Sequence, residues 1–174
     1  MFTGSADGYV ALWNLVSGEQ EKFSIHCGKP VYSVAYQADK DYLWVGLNNG
    51  DQHIIDCSTR TEIKFFQQHR SAVFSTLVLS NLHYTISADA DGNLAVWDNL
   101  KLSLLAFLPL LCGKVRKLST NKDESLLLIN AQDGSLRIFE TKGFNEIVTL
   151  KGHEGGTCCS VFHPYAKTHI CLLY

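Results

Sequence analysis

The feature that most constrains this chain is a repeat that does not drift. Turn dipeptides stand at Asp7-Gly8, Asn49-Gly50, Asp91-Gly92 and Asp133-Gly134, and each glycine follows the last by 42 residues. Five positions beyond each glycine comes a large apolar residue followed by a polar one: Trp13-Asn14, Ile55-Asp56, Trp97-Asp98 and Phe139-Glu140. Upstream columns keep the same step: Val31, Val73, Val115 and Thr157; Val34, Thr76, Leu118 and Ser160; Tyr36, Val78, Thr120 and Phe162. Self-similarity at a fixed spacing of this size marks a repeat architecture, in which one small unit cannot bury its apolar faces alone and does so by stacking on its neighbours.

Within a unit, short segments rich in β-branched and aromatic residues alternate with Gly, Asn, Asp and Ser. In the best preserved unit they run from Ala72 to Leu79, His83 to Ala88, Asn93 to Asp98 and Leu102 to Leu108, which predicts four strands per repeat. The Asp-Gly and Asn-Gly pairs suit tight hairpins, since Gly accepts positive φ without steric cost and Asp or Asn bonds nearby amides. No segment sustains a helical period, so the expected class is all-β. In this register the chain divides into a partial unit 1–14, units 15–56, 57–98 and 99–140, and a partial unit 141–174.

Composition narrows the partners. With 174 residues, 46% hydrophobic and 18% charged, the chain is long enough for one domain with a sizeable core. A formal net charge of −2 gives no global attraction to phosphate backbones or anionic lipid, so neither nucleic acid nor membrane is expected as a partner. No apolar run approaches the roughly 20 residues that span a bilayer, and no basic flank, apolar stretch and small-residue cleavage site opens the chain. The cysteines at 27, 57, 112, 158, 159 and 171 contain no C-x-x-C pair and lack the density of a secreted scaffold. Free packing thiols in a reducing cytoplasmic compartment are the expectation. A zinc site through Cys158, Cys159 and His153 or His163 has a spacing that matches no common finger or ribbon.

The period, the terminal Trp-Asp and the histidines His26, His69 and His153 (within Lys151-Gly152-His153) ahead of successive units together resemble the WD-repeat family across nearly the whole length. The fourth unit has Leu110-Leu111-Cys112 at the place of the histidine, and in the first unit that place would precede Met1. The resemblance implies about four blades of four-stranded antiparallel sheet, forming part of an open β-propeller cut from a seven-bladed parent. It also implies a structural tetrad in the third unit, His69, Ser87, Asp91 and Trp97, because a buried indole N–H, a hydroxyl and an imidazole each need a partner and a turn carboxylate ends the chain. The first unit keeps Thr3, Asp7 and Trp13, the second has Val45, Asn49 and Ile55, and the fourth keeps Asp133 beside Ile129 and Phe139. Losing donors and acceptors together leaves no half-satisfied network.

Other chemistry reads weakly. His69, Ser87 and Asp91 as a catalytic triad would require an exposed serine and an oxyanion hole that nothing here supplies. Asp89 and Asp91 resemble the start of a calcium loop whose later ligands are missing. Gly4-Ser5-Ala6-Asp7-Gly8 lacks the Gly-Lys-Ser/Thr of a phosphate loop, and Arg116, Lys117 and Lys122 read as solvated surface. No cofactor and no enzyme activity are expected.

The resemblance implies a non-catalytic scaffold that presents a rigid face to proteins or peptides. The alternative is a propeller enzyme or small-ligand binder using the central channel, which would need acidic or histidine side chains from several blades. Family hot spots flank the first conserved apolar residue of the inner strand and precede the turn acid. Carried over, they are Pro30, Tyr32 and Asn48; Ala72, Phe74 and Ala90; Lys114, Arg116 and Gln132. Tyr32, Phe74 and Arg116 are the expected anchors, being types that bury large area with directional contacts, while packing on the neighbouring blade is the competing account of the two aromatics. The register also leaves partial units at both ends, from which an incomplete ring is expected, with self-association through open edges as the other outcome.

Overall fold

The computed structural model describes residues 1–151, 154–163 and 170–173, all strand, turn or loop. Among the described residues seventeen strands form five antiparallel sheets. The first holds β1 (Phe2–Gly4), β2 (Tyr9–Trp13) and β3 (Gln20–His26). The second holds β4 (Val31–Gln37), β5 (Tyr42–Leu47), β6 (Gln52–Asp56) and β7 (Thr61–Phe66); the third holds β8 (Val73–Leu79), β9 (Tyr84–Asp89), β10 (Asn93–Asp98) and β11 (Ser103–Pro109). The fourth holds β12 (Val115–Thr120), β13 (Leu126–Ala131), β14 (Ser135–Glu140) and β15 (Glu146–Lys151), and a final pair is β16 (Cys159–Phe162) with β17 (Ile170–Leu173). The four strands expected from Ala72 onward are all present, each boundary within one residue.

The sheets are offset from the sequence units. Cutting at 14, 56, 98 and 140 places β3, β7, β11 and β15 in the unit after the one that supplies the rest of their sheet. The first sheet therefore has three strands where residues 1–14 alone supply two, and three four-stranded sheets lie between it and the final pair among the described residues. Within the partial unit 141–174, residues 152–153, 164–169 and 174 lie outside the described residues, His153 among them.

Contacts between sheets run mainly through their first strands, β4 on β8, β8 on β12 and β12 on β16, whereas β7, β11 and β15 make none of comparable extent with one another. Sheets joined at one side and splayed at the other fan about a common axis, and this fan stays open. Each interface has its own core. Val10, Phe23, Val31, Leu43, Val45 and Leu47 fill the first, and Leu79, Ile86, Leu94, Val115, Leu127 and Ile129 fill the third. Between the second and third sheets Trp44, Ile54, Ala95 and Trp97 pack with Phe66, whose ring centroid lies 4.3 Å from that of Trp97. The middle strands are thus buried on both faces, which is why Leu43 to Leu47 and Leu127 to Ala131 read as near-continuous apolar runs rather than alternating ones.

One column of the repeat breaks the apolar rule inside this core. Val10, Leu94 and Leu136 share their column with Gln52, which is 1% exposed and has no protein partner at either amide atom. A buried amide without hydrogen bonds is destabilising by the desolvation of its donor and acceptor. Gln52→Leu, the residue two other repeats carry, is expected to stabilise the chain by about 1 to 2 kcal/mol. Urea unfolding is the check, and an unchanged or lower midpoint would show that the amide is satisfied in solution.

Candidate functional site

The histidine of the third repeat is fully buried and anchors a hydrogen-bonded chain. Trp97 Nε1 donates to Ser87 Oγ at 2.8 Å, Ser87 Oγ meets His69 Nε2 at 2.8 Å, and His69 Nδ1 meets Asp89 Oδ2 at 2.8 Å. Because a carboxylate only accepts, Nδ1 carries the proton and Nε2 takes the serine hydroxyl. The acid is Asp89, not the expected Asp91. Strand alternation gives the reason: Ser87 and Asp89 are two residues apart on β9 and share the face toward His69, whereas Asp91 lies beyond the strand in an exposed turn.

Asp89 also displaces Asp91 from its turn role. In the other repeats the residue before the glycine caps the amide two positions on: Asp7 takes Tyr9 N at 3.1 Å, Asn49 takes Asp51 N at 3.3 Å and Asp133 takes Ser135 N at 2.9 Å. In the third, Asn93 N and Asp91 N both donate to Asp89 Oδ1 at 2.9 Å. Burial works to raise the Asp89 carboxyl, but the bonds from His69 and Asn93 outweigh it and hold the group below the ordinary carboxylate range. The first sheet keeps a shorter form of the chain, Trp13 Nε1 donating to Thr3 Oγ1 at 2.8 Å. A serine wholly shielded between an indole and an imidazole does not meet a substrate, so this cluster is a staple of the blade.

The nine residues expected on the binding face fall at one end of the inner strands, and none of them is buried. Within each pair a backbone bond ties the inner strand to the turn: Asn48 N donates to Pro30 O at 3.0 Å, Ala90 N to Ala72 O at 2.9 Å and Gln132 N to Lys114 O at 2.9 Å. Pairing of β4 with β5 slips by one residue between Val31 and Ser33, of β8 with β9 between Val73 and Ser75, and of β12 with β13 between Val115 and Lys117. Tyr32, Phe74 and Arg116 are therefore the extra residues of three β-bulges, one per sheet. A bulge bends its strand and re-aims the side chain it carries, and here it turns the anchors out of the ladder.

The anchors also touch across the blades. The Tyr32 and Phe74 ring centroids are 5.1 Å apart, and Lys114 Nζ sits 4.5 Å above the opposite part of the row, over the Phe74 ring. Packing and exposure are compatible in this row, since Tyr32 remains 46% exposed while its ring contacts the neighbouring blade. Lys114 belonged to the expected face but not to its anchors; its placement over Phe74 depends on a neighbouring sheet and leaves no trace in its own repeat. Arg116 is exposed and makes no ion pair among the described residues.

Two cysteines are half-buried, Cys27 and Cys57. Burial, with help from nearby carboxylates, pushes the Cys27 thiol up to about 11 and Cys57 up to about 12, which keeps both protonated and poorly nucleophilic. A crevice of about 430 Å³ lies at the margin of the same end, lined by Gln67, Gln68, Arg70, Asp91, Asn93 and Phe107, away from the inner strands. No three metal-ligating side chains converge among the described residues, and His153 is not one of them.

Known proteins resemble this chain in the same terms. A model of the WD domain, G-beta repeat, matches residues 60–98, which run from β7 through β10 and so share the offset of the sequence unit. The Protein LST8 homolog of Drosophila melanogaster is 21% identical over 154 residues, covering 84% of this chain and 49% of that protein. The WD repeat-containing protein 91 homolog of Dictyostelium discoideum is 23% identical over 158 residues, 87% of this chain and 21% of its own length. The solved structure of U3-55K superposes with a TM-score of 0.81 at 20% identity over 92% of this chain and 51% of that one. The chain thus spans about half the length of the LST8 homologs it matches.

Proposed function

We infer, for a chain that belongs to the WD-repeat family, a role as a non-catalytic interaction scaffold that holds a protein or peptide on the face of Tyr32, Phe74 and Arg116. The observation that carries this reading is the set of three bulges in step with the repeat, each presenting a large side chain at the same end of adjacent inner strands. Aromatic and arginine side chains held by a rigid sheet lose little freedom on binding, which is the physical character of an interface anchor. A channel enzyme finds less support, because β4, β8 and β12 bring no carboxylate and no histidine to the axis.

An intracellular location belongs to the same proposal and rests on cysteine spacing. Nucleic acid and membrane stand outside it, on the net charge of −2. Affinity capture followed by titration of the partner tests the reading. Tyr32→Ala, Phe74→Ala and Arg116→Ala are each expected to weaken binding by about 2 kcal/mol or more, roughly thirtyfold. Wild-type affinity in all three would remove the face from consideration, and a concentration-dependent rise to twice the mass in light scattering would point instead to self-association through the open edge of β1.

A further inference from the structure

We propose that the ligand of this face is an acidic peptide that pairs a bulky apolar side chain with a nearby Asp or Glu; the proposal rests on the interaction reading above. The inner strands divide into two walls of different chemistry. On β4 and β8 the sequences Val-Tyr-Ser-Val-Ala-Tyr-Gln and Val-Phe-Ser-Thr-Leu-Val-Leu carry no charge, and they present the Tyr32 and Phe74 rings. On β12 the sequence Val-Arg-Lys-Leu-Ser-Thr follows directly on Lys114, so three cations stand together there. No inner strand, β16 included, carries a carboxylate.

Carboxylates at this end lie one turn further out, and most are held there. Asp7 and Asp133 cap their own turns, Asp133 also meets Arg137, Asp51 accepts from Asn49, and Asp89 is sealed around His69. Asp91 is exposed in the β9–β10 turn and Glu154 in the loop that leads to β16, both outside the inner strands themselves. Lys114, Arg116 and Lys117 consequently make no ion pair among the described residues. An ammonium resting on an aromatic ring keeps its hydrogen-bonding capacity on the outer side, and an exposed guanidinium offers a planar fork that matches a carboxylate. The Phe74 ring, between Tyr32 at 5.1 Å and the Lys114 ammonium at 4.5 Å, joins the apolar wall to the cationic one.

Charge complementarity then selects the occupant. A peptide with an apolar side chain against Tyr32 and Phe74 and a carboxylate over Arg116 satisfies both walls, whereas a basic peptide would set like charges against Lys114 and Arg116. A single cationic wall in a chain of net charge −2 does not track a phosphate backbone, which asks for cations along several strands.

Selection from a displayed library of random peptides on the whole chain, compared with Lys114→Glu/Arg116→Glu, decides the matter. Wild type is expected to enrich peptides carrying Asp or Glu beside Leu, Phe or Trp, and the charge-reversed chain to shift toward Lys and Arg. The best peptide, followed by anisotropy, should lose about tenfold or more in affinity against Lys114→Gln/Arg116→Gln, a surface change that leaves the core untouched. Enrichment without acidic bias that still vanishes in Tyr32→Ala overturns the acidic ligand and leaves the interaction face standing. No enrichment dependent on Tyr32 overturns both, and displacement of the peptide by a single-stranded RNA of equal length at equal concentration overturns the peptide as ligand.

Discussion

Asp89→Ala is expected to lower the stability of this chain by about 3 kcal/mol or more, while Asp91→Ala changes it by less than about 0.5 kcal/mol. The alanine at 89 removes the acceptor of His69 Nδ1 and of the amides of Asp91 and Asn93 in one step. His69 is 4% exposed, so water does not replace what is lost, and Ser87 and Trp97 stay aligned on a ring that has no partner on its other side. In a domain of this size the change is about 6 to 12 °C in Tm. Equal effects at positions 89 and 91, or a larger one at 91, would return the network to the turn acid. The pH dependence follows the same bonds. A carboxyl depressed in the folded state contributes stability that is present above its unfolded pKa and is lost as pH falls through the folded value. Wild type should therefore shed this contribution in acid, and Asp89→Asn should show a shallower loss over the same acid range.

Gly50→Ala should be comparably costly, about 3 kcal/mol or more, and Gly18→Ala about 1 kcal/mol. Both glycines lie in the left-handed region, at φ of 93° and 74°. A Cβ on Gly18 meets nothing within 4 Å, so only the backbone strain is felt. On Gly50 it would stand 2.4 Å from the carbonyl oxygen of His69 and 2.7 Å from its carbonyl carbon. Backbone cannot swing aside as a side chain can, and the residue that would have to move carries the ring of the buried network in the next sheet. Denaturant unfolding of the two variants separates conformational strain from collision, and equal losses would show that the loop before β8 yields freely.

Much of this was legible in the chain. The constant step between Asp-Gly and Asn-Gly turns gave the number of strands and their limits, because hairpin chemistry is local: a left-handed glycine and a side chain that caps its own turn need no distant partner. The columns of Val31, Val73 and Val115 marked the inner strands, and the hot-spot positions that the WD-repeat resemblance implies beside them put Tyr32, Phe74 and Arg116 at one end of those strands. The four segments from Ala72 to Leu108 do form one sheet, but unit boundaries at 14, 56, 98 and 140 do not coincide with blade boundaries, since the outer strand of each blade comes from the following unit and joins it by pairing across the repeat boundary.

The sequence by itself determined the all-β repeat, its period and its turns, which depend on neighbours a few residues away or on a column repeated at fixed spacing, while its resemblance to the WD-repeat family pointed to His69, Ser87 and Trp97 as tetrad residues. Only the tertiary structure decided that Asp89 and not Asp91 closes the network, since the choice depends on which carboxylate shares a strand face with a histidine on a separate loop. The same holds for the three bulges and for Lys114 above Phe74. A bulge is a slip between two strands, and a cation over a ring is a contact between two sheets; each is a property of a pair, and the repeat records only one member at a time.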